Sequence, residues 1–157
     1  MERVWITNGS TSIPPVVNPL IAACHEGYLP TDVYILDNPS IAPVTDAATE
    51  MIENVLTHYS GGDPEVTISS IEDEADFDAI SDFVTGHIDQ AQSVGADVAV
   101  DVTPGRKFWS IFSFRAGLLF EVDRLYYLHV LSDEYFGQCY PTIPRTATEL
   151  IDFTELI

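Results

Sequence analysis

The sequence predicts an α/β fold: a mainly parallel sheet of about six strands, helices on both faces, and an antiparallel C-terminal edge hairpin. Three observations predict it. Short apolar runs alternate with helical patterns from residue 3 to residue 131, which implies parallel strands joined by right-handed crossovers. The run Asp97-Val-Ala-Val-Asp-Val is almost unbroken in apolar character, as suits a strand covered on both faces. The last two strand-like segments have no helical pattern between them, so they should pair as a hairpin. Together these describe a Rossmann-like sheet, and the chain length suits a single domain spanning 1–157.

The elements follow in order. Arg3-Val-Trp-Ile-Thr is the first strand, and Asn8-Gly-Ser-Thr-Ser is a loop of hydroxyls and turn formers. Pro14-Pro15 suits a first helical turn with Ser12 as its cap, and Gly27 stops the helix. Pro19 either kinks this helix or, with Asn18 as cap, starts it. Val33-Tyr-Ile-Leu is the second strand. Met51, Ile52, Val55, Leu56 and Tyr59 share one face of a helix over 46–59. The third strand begins at Glu65. Residues 75–93 form a helix with Phe77, Ile80, Val84, Ile88 and Ala91 inward, opened by the acids Glu72, Asp73, Glu74 and Asp76. The fourth strand leads into a helix over 107–121 that is apolar almost all round. Such a helix is buried on more than one side. The second side is expected to meet another copy of the chain, with Ser113 and Gly117 allowing close approach. Leu125-Tyr-Tyr-Leu-His-Val-Leu is the fifth strand, and a last strand lies near 148–153 after a polar loop.

Composition narrows the function. Six Lys and Arg face 25 Asp and Glu, for a net charge of −19. That excludes a nonspecific nucleic-acid binder, which needs cations along a groove. It suits a protein of a salt-accumulating halophile, steadied by high salt because like charges otherwise repel. No run of about 18 apolar residues suggests a membrane span. The first residues lack the shape of a signal peptide, so a cytoplasmic location is expected. Cys24 and Cys139 stand far apart and fit neither a zinc site nor a disulfide framework; both are expected as buried thiols. His25, His58 and His129 read as structural, and His87 as a solvated side chain among acids. No metal site and no cofactor is expected.

The scarcity of cations makes their placement informative. Arg106, Lys107 and Arg115 are three of the six. The first two lie at a strand-to-helix turn, where helix N–H groups already favour anions. In a sheet of order 3-2-1-4-5, ligands bind beyond the carboxyl ends of the strands, where the order reverses between the first and fourth. The loops there carry Asn8, Gly9, Ser10, Thr11 and Ser12 on one side and Thr103, Pro104, Gly105, Arg106 and Lys107 on the other. Hydroxyls, amides and cations converging suit phosphate and ribose. There is no G-x-G-x-x-G, P-loop or nucleophile-elbow pattern. A nucleotide- or cofactor-binding oxidoreductase with a degenerate site, and a non-catalytic interaction module, stand as alternatives.

The turn Asp101-Val-Thr-Pro-Gly-Arg-Lys resembles the Asn- or Asp-x-Thr-Gly-Gly-x-Lys-like turn of the CARF (CRISPR-associated Rossmann fold) domains of type III CRISPR systems. Thr7-Asn-Gly-Ser-Thr-Ser-Ile-Pro-Pro is similar to that family's loop after its first strand, and Ile143-Pro-Arg-Thr-Ala-Thr-Glu-Leu resembles its closing hairpin. Pro104 departs from the pattern by removing one backbone donor, and the first loop is about two residues longer. The resemblance implies a homodimer that binds a cyclic oligoadenylate (tetra- or hexa-adenylate) across its two-fold axis. It also admits slow, metal-independent ring cleavage, with Lys107 stabilising charge, Arg106 helping, and Ser10, Thr11 or Ser12 orienting the 2′-hydroxyl or the phosphate.

Overall fold

The computed structural model describes residues 1–157. Its strands are β1 (Arg3–Asn8), β2 (Asp32–Asp37), β3 (Glu65–Ser70), β4 (Asp97–Asp101), β5 (Arg124–Val130) and β6 (Thr148–Asp152). Its helices are α1 (Pro14–His25), α2 (Ala42–Ser60), α3 (Phe77–Ser93) and α4 (Lys107–Leu119). The sheet order is β3-β2-β1-β4-β5-β6. All pairs are parallel except β5 with β6, which run antiparallel with Tyr126 opposite Asp152. The order reverses between β1 and β4, as the alternation of elements predicts. No helix is long and apolar enough to cross a membrane.

Alternation along β1 divides the core. Trp5 faces α1 and α2, packing with Val16, Leu20, Val33, Ile52 and Leu56. Val4 and Ile6 face α3 and α4, packing with Ile80, Val84, Ile88, Val98, Val100 and Trp109. Both sheet faces are therefore dry, and the central strands carry apolar residues at consecutive positions. Trp5, Tyr28 and Tyr126 form an aromatic cluster on the first face, with Trp5 and Tyr126 stacked at 5.8 Å.

Several details differ from the sequence reading. α1 starts at Pro14 and runs through Pro19; its cap residue is Ile13, and Ser12 makes no cap bond. Asn18 is not a helix start. Its side chain donates to the Gln138 carbonyl (2.9 Å) and accepts from the Tyr140 N–H (2.8 Å), tying the 132–147 loop to α1. α2 begins at Ala42, after a single 3₁₀ turn at Pro39–Ile41. Phe77 is 53% exposed and stacks on Phe112, while Phe83 takes the inward place on α3. Helical spacing sets the face of the first turn only loosely, and Phe77 follows the capping residue Asp76.

Cys24 is buried, and burial pushes its thiol up to about 12. Cys139 is only half-buried, because it lies in the loop rather than the core. His87 is half-buried rather than solvated: it stacks on Tyr34 at 4.0 Å, and burial lowers its pKa. His129 is exposed on β5.

The largest correction concerns α4. Ser113 and Gly117 face the sheet, not solvent. A Cβ on Gly117 would lie 2.7 Å from Leu125 Cδ1. These small residues let α4 seat closely on β5. The outward positions include Ile111 (65% exposed) and Leu119 (66% exposed), together with Arg115 and Leu118.

Candidate ligand-binding cleft

The site is built where β1 and β4 end side by side. Gly9 N–H donates to the Leu36 carbonyl at 2.7 Å, which turns the first loop over the end of β2. A Cβ on Gly9 would meet Ile41 Cδ1 at 2.8 Å and the Leu36 carbonyl oxygen at 3.3 Å, so glycine gives the loop its closest approach to β2. Gly105 has φ +95°, and a Cβ there would lie 3.0 Å from Asn8 Cβ and 3.2 Å from the Gly9 carbonyl oxygen. The two loops thus touch through two glycines. Beneath them Asn8 is buried and donates to Ser113 Oγ at 3.3 Å, locking β1 to α4.

A cleft of about 220 Å³ opens above this contact. Gly9, Ser10, Thr11, Gly105 and Arg106 line it, joined by Asn38, Ser40, Glu74 and Trp109. Five of the ten residues expected from sequence therefore share one cavity. Ser12 and Thr103 line a separate cleft of about 620 Å³ on the other side of the first loop, with His129 and Phe136. The Thr103 hydroxyl accepts the Leu128 N–H at 2.9 Å and so holds β4 to β5. Pro104 is buried, and its carbonyl accepts the Ser110 hydroxyl at 3.3 Å. Lys107 is exposed at the first position of α4, outside the lining of the cleft.

Arg106 caps the start of α4 in extended conformation. Its guanidinium is not free. Nη2 lies 3.1 Å from Glu74 Oε1, and Nε donates to Oε2 at 3.1 Å. Trp109 Nε1–H donates to the Glu74 carbonyl at 2.8 Å. The acidic segment before α3 is thereby strapped across the wall of the cleft.

Asn38, Ser40, Ile41, Glu74 and Trp109 line the cleft without being among the site residues expected from sequence. The order β2-β1 places the Asn38-Pro-Ser turn next to the first loop, so topology could have found the first two. Asn38 Oδ1 accepts the Ser40 N–H at 3.0 Å, a compact turn that presents hydroxyl and amide together. Glu74 carried no such signal, because it arrives from a segment beyond the edge strand β3.

Asp101, at the end of β4, is fully buried beneath the second loop. Thr7 Oγ1 donates to its Oδ2 and the Thr103 N–H to its Oδ1, both at 3.0 Å. Burial pushes its carboxyl up to about 7, against the opposing pull of these bonds. A carboxyl raised in the folded state favours folding most below its unfolded value of 3.8, and that contribution is lost as pH rises through about 7. Asp101→Asn mimics the protonated carboxyl: its oxygen can still accept the Thr103 N–H, its amide N–H can donate to Thr7 Oγ1, and the charge is removed. Its melting temperature should equal the wild type's near pH 4 and exceed it increasingly up to about pH 7. Thermal melts across pH 4–8 that run parallel for the two proteins would refute this.

No three His, Cys, Asp or Glu side chains converge into a group that could hold a metal ion. The arrangement instead offers backbone N–H groups, hydroxyls, an amide and a guanidinium around a small polar cavity, next to the start of α4. Unbonded N–H groups of a first helical turn add positive potential there.

No family profile and no curated protein sequence matches the chain. Solved structures do. A type III CRISPR defence DNA nuclease activated by cyclic oligoadenylate superposes with a TM-score of 0.65 at 17% identity, over 83% of this chain and 19% of that one. Csm6 of Enterococcus italicus, bound to cyclic hexa-2′-fluoro-hexa-dAMP, gives 0.64 at 15% identity over 99% of this chain and 42% of that one. The chain has the fold of a CARF domain. Can2 of Sulfobacillus thermosulfidooxidans, in complex with cyclic tetra-adenylate, gives a TM-score of 0.50 at 15% identity, over 80% of this chain and 32% of that one. This CARF fold spans less than half the length of each of the three proteins. At these identities the likeness is one of architecture, and residue roles rest on the cleft itself.

Proposed function

We propose that this chain binds a cyclic oligoadenylate of type III CRISPR immunity across a homodimer and acts as a sensor. The observation that carries the reading is the cleft between the ends of β1 and β4, formed by Gly9, Ser10, Thr11, Gly105 and Arg106, in a fold shared with proteins that bind such rings. Its size supports the dimer. At about 220 Å³ the cavity falls below the usual range for a whole small-molecule ligand, so one copy covers only part of a ring of four or six nucleotides. A two-fold ligand completes its contacts on a second copy related by the same symmetry. The outward apolar residues Ile111 and Leu119 of α4 supply a surface for that copy.

A titration of the purified protein with cyclic tetra- and hexa-adenylate tests this. Saturable binding with one ring per two chains is expected, and no binding of either ring would end the reading. Lys107 stands beside the cleft and makes neither of the chain's two ion pairs. It is therefore available to a phosphate that bridges the two copies. A charge-assisted bond contributes about 1.5–3 kcal/mol, so Lys107→Ala should weaken binding roughly ten-fold or more while leaving the fold intact. Unchanged affinity would remove Lys107 from the site.

The same free lysine favours a second reading, slow cleavage of the ring. A ribose 2′-oxygen would bond to the adjacent phosphorus and the P–O5′ bond would break. The products are a 2′,3′-cyclic phosphate and a 5′-hydroxyl, with the proton passing from the 2′-hydroxyl to the leaving oxygen through solvent. Lys107 would stabilise the phosphoryl charge, and Ser10 or Thr11 would orient the ribose. Chromatography of labelled ring with excess protein, high salt and EDTA separates the readings. Cyclic-phosphate products establish cleavage, and a ring intact after many hours leaves binding alone.

A further inference from the structure

Resting on that binding reading, we infer that Glu74 is an internal competitor for ligand phosphate at Arg106, and that residues 71–76 form a strap which ligand binding releases. Only two ion pairs exist in this lysine-poor chain, and one of them lies in the anion cleft. Glu74 grips the Nε/Nη2 edge of Arg106 with both carboxylate oxygens. That edge is one of those with which a guanidinium holds a phosphate by two parallel bonds. A phosphate that takes it must displace the carboxylate.

The strap is anchored at its ends by Ile71, which packs against the core, and by Asp76, which accepts the Ala79 N–H and caps α3; between them it is held at few points. Ile71 N–H donates to the Asp37 carbonyl at 2.9 Å where the segment leaves β3. Trp109 Nε1–H holds the Glu74 carbonyl, and Arg106 holds the Glu74 carboxylate. Between Ile71 and α3, residues 72, 73, 75 and 76 are exposed. The pair is itself solvent-accessible, with side-chain exposures of 60% for Arg106 and 40% for Glu74. An ion pair this exposed is weak enough for a ligand to replace. Glu72, Asp73 and Asp76 on the same strap oppose an incoming anion and favour its outward movement once Glu74 lets go. The chain's own carboxylate thus occupies the edge of Arg106 that a ring's phosphate would take.

Glu74→Gln removes the competing charge and keeps the shape. Two measurements test the inference. Exchange of the Trp109 indole proton, followed by nuclear magnetic resonance with the buried Trp5 indole as internal reference, should quicken roughly five-fold in the variant without ligand. Affinity for cyclic tetra- or hexa-adenylate should rise by a similar factor. Unchanged indole exchange overturns the strap, and equal or weaker ring affinity overturns the competition. A ring bound by neither protein overturns the functional reading and the competition together, whereas quickened exchange in that case still establishes the strap.

Discussion

Replacing Trp109 by alanine is expected to cost about 3–5 kcal/mol of folding stability, the range for deleting a large buried aromatic side chain. Trp109 is 1% exposed and fills the junction between α4, β4 and α3. Its ring would lie 3.4 Å from a Cβ on Gly105, so it also supports the turn that forms the cleft. Removal leaves a cavity directly under Gly105 and frees the Glu74 carbonyl. Denaturant unfolding measures the first effect. Trp109→Phe is the control. It keeps a buried aromatic ring but loses part of the indole volume as well as the 2.8 Å bond to Glu74, so a smaller loss, about 1–3 kcal/mol, is expected. Equal losses for the two variants would show that the hydrogen bond, not the packing, carries the contribution.

Gly117→Asp should prevent folding. The added Cβ meets Leu125, which is itself fully buried, at 2.7 Å, and a carboxylate would be buried beside that apolar side chain. Burial of an unpaired charge costs several kcal/mol, and the clash with a close-packed neighbour adds to it. Insoluble or unfolded protein is expected at every concentration. Ile111→Asp is the informative contrast. Ile111 is 65% exposed, so the fold should survive, while the proposed dimer should dissociate. Light scattering that finds a soluble, native Gly117→Asp protein would contradict the packing of α4. A monomeric wild type would contradict the dimer.

These two substitutions sit on one helix and mark where sequence reasoning stopped. Periodicity identified α4 as a helix with too many apolar residues for one face. It could not tell which of Ile111, Ser113 and Gly117 faced inward, because nearly every position was compatible with burial. Small size at 113 and 117 reads equally well as room for a partner or room for a strand. The position of Leu125 decides for the strand.

The sequence by itself determined the strand order, the antiparallel edge and the meeting of the 8–12 and 103–107 loops. Those follow from chain-order rules and from glycine, proline and hydroxyl chemistry, all of which act locally. Tertiary structure alone decided which loop residues share the cleft. Thr103 points its hydroxyl to a β5 amide, Ser12 falls on the far side of the first loop, and Asn8 is spent on Ser113. It alone decided the charge state of the site as well. Arg106 read as a free cation in a chain short of cations, but Glu74, 32 residues earlier, is brought against it by the crossover from β3 to β4. Such a pairing depends on where a long connection runs in space, and no local pattern in the sequence records that.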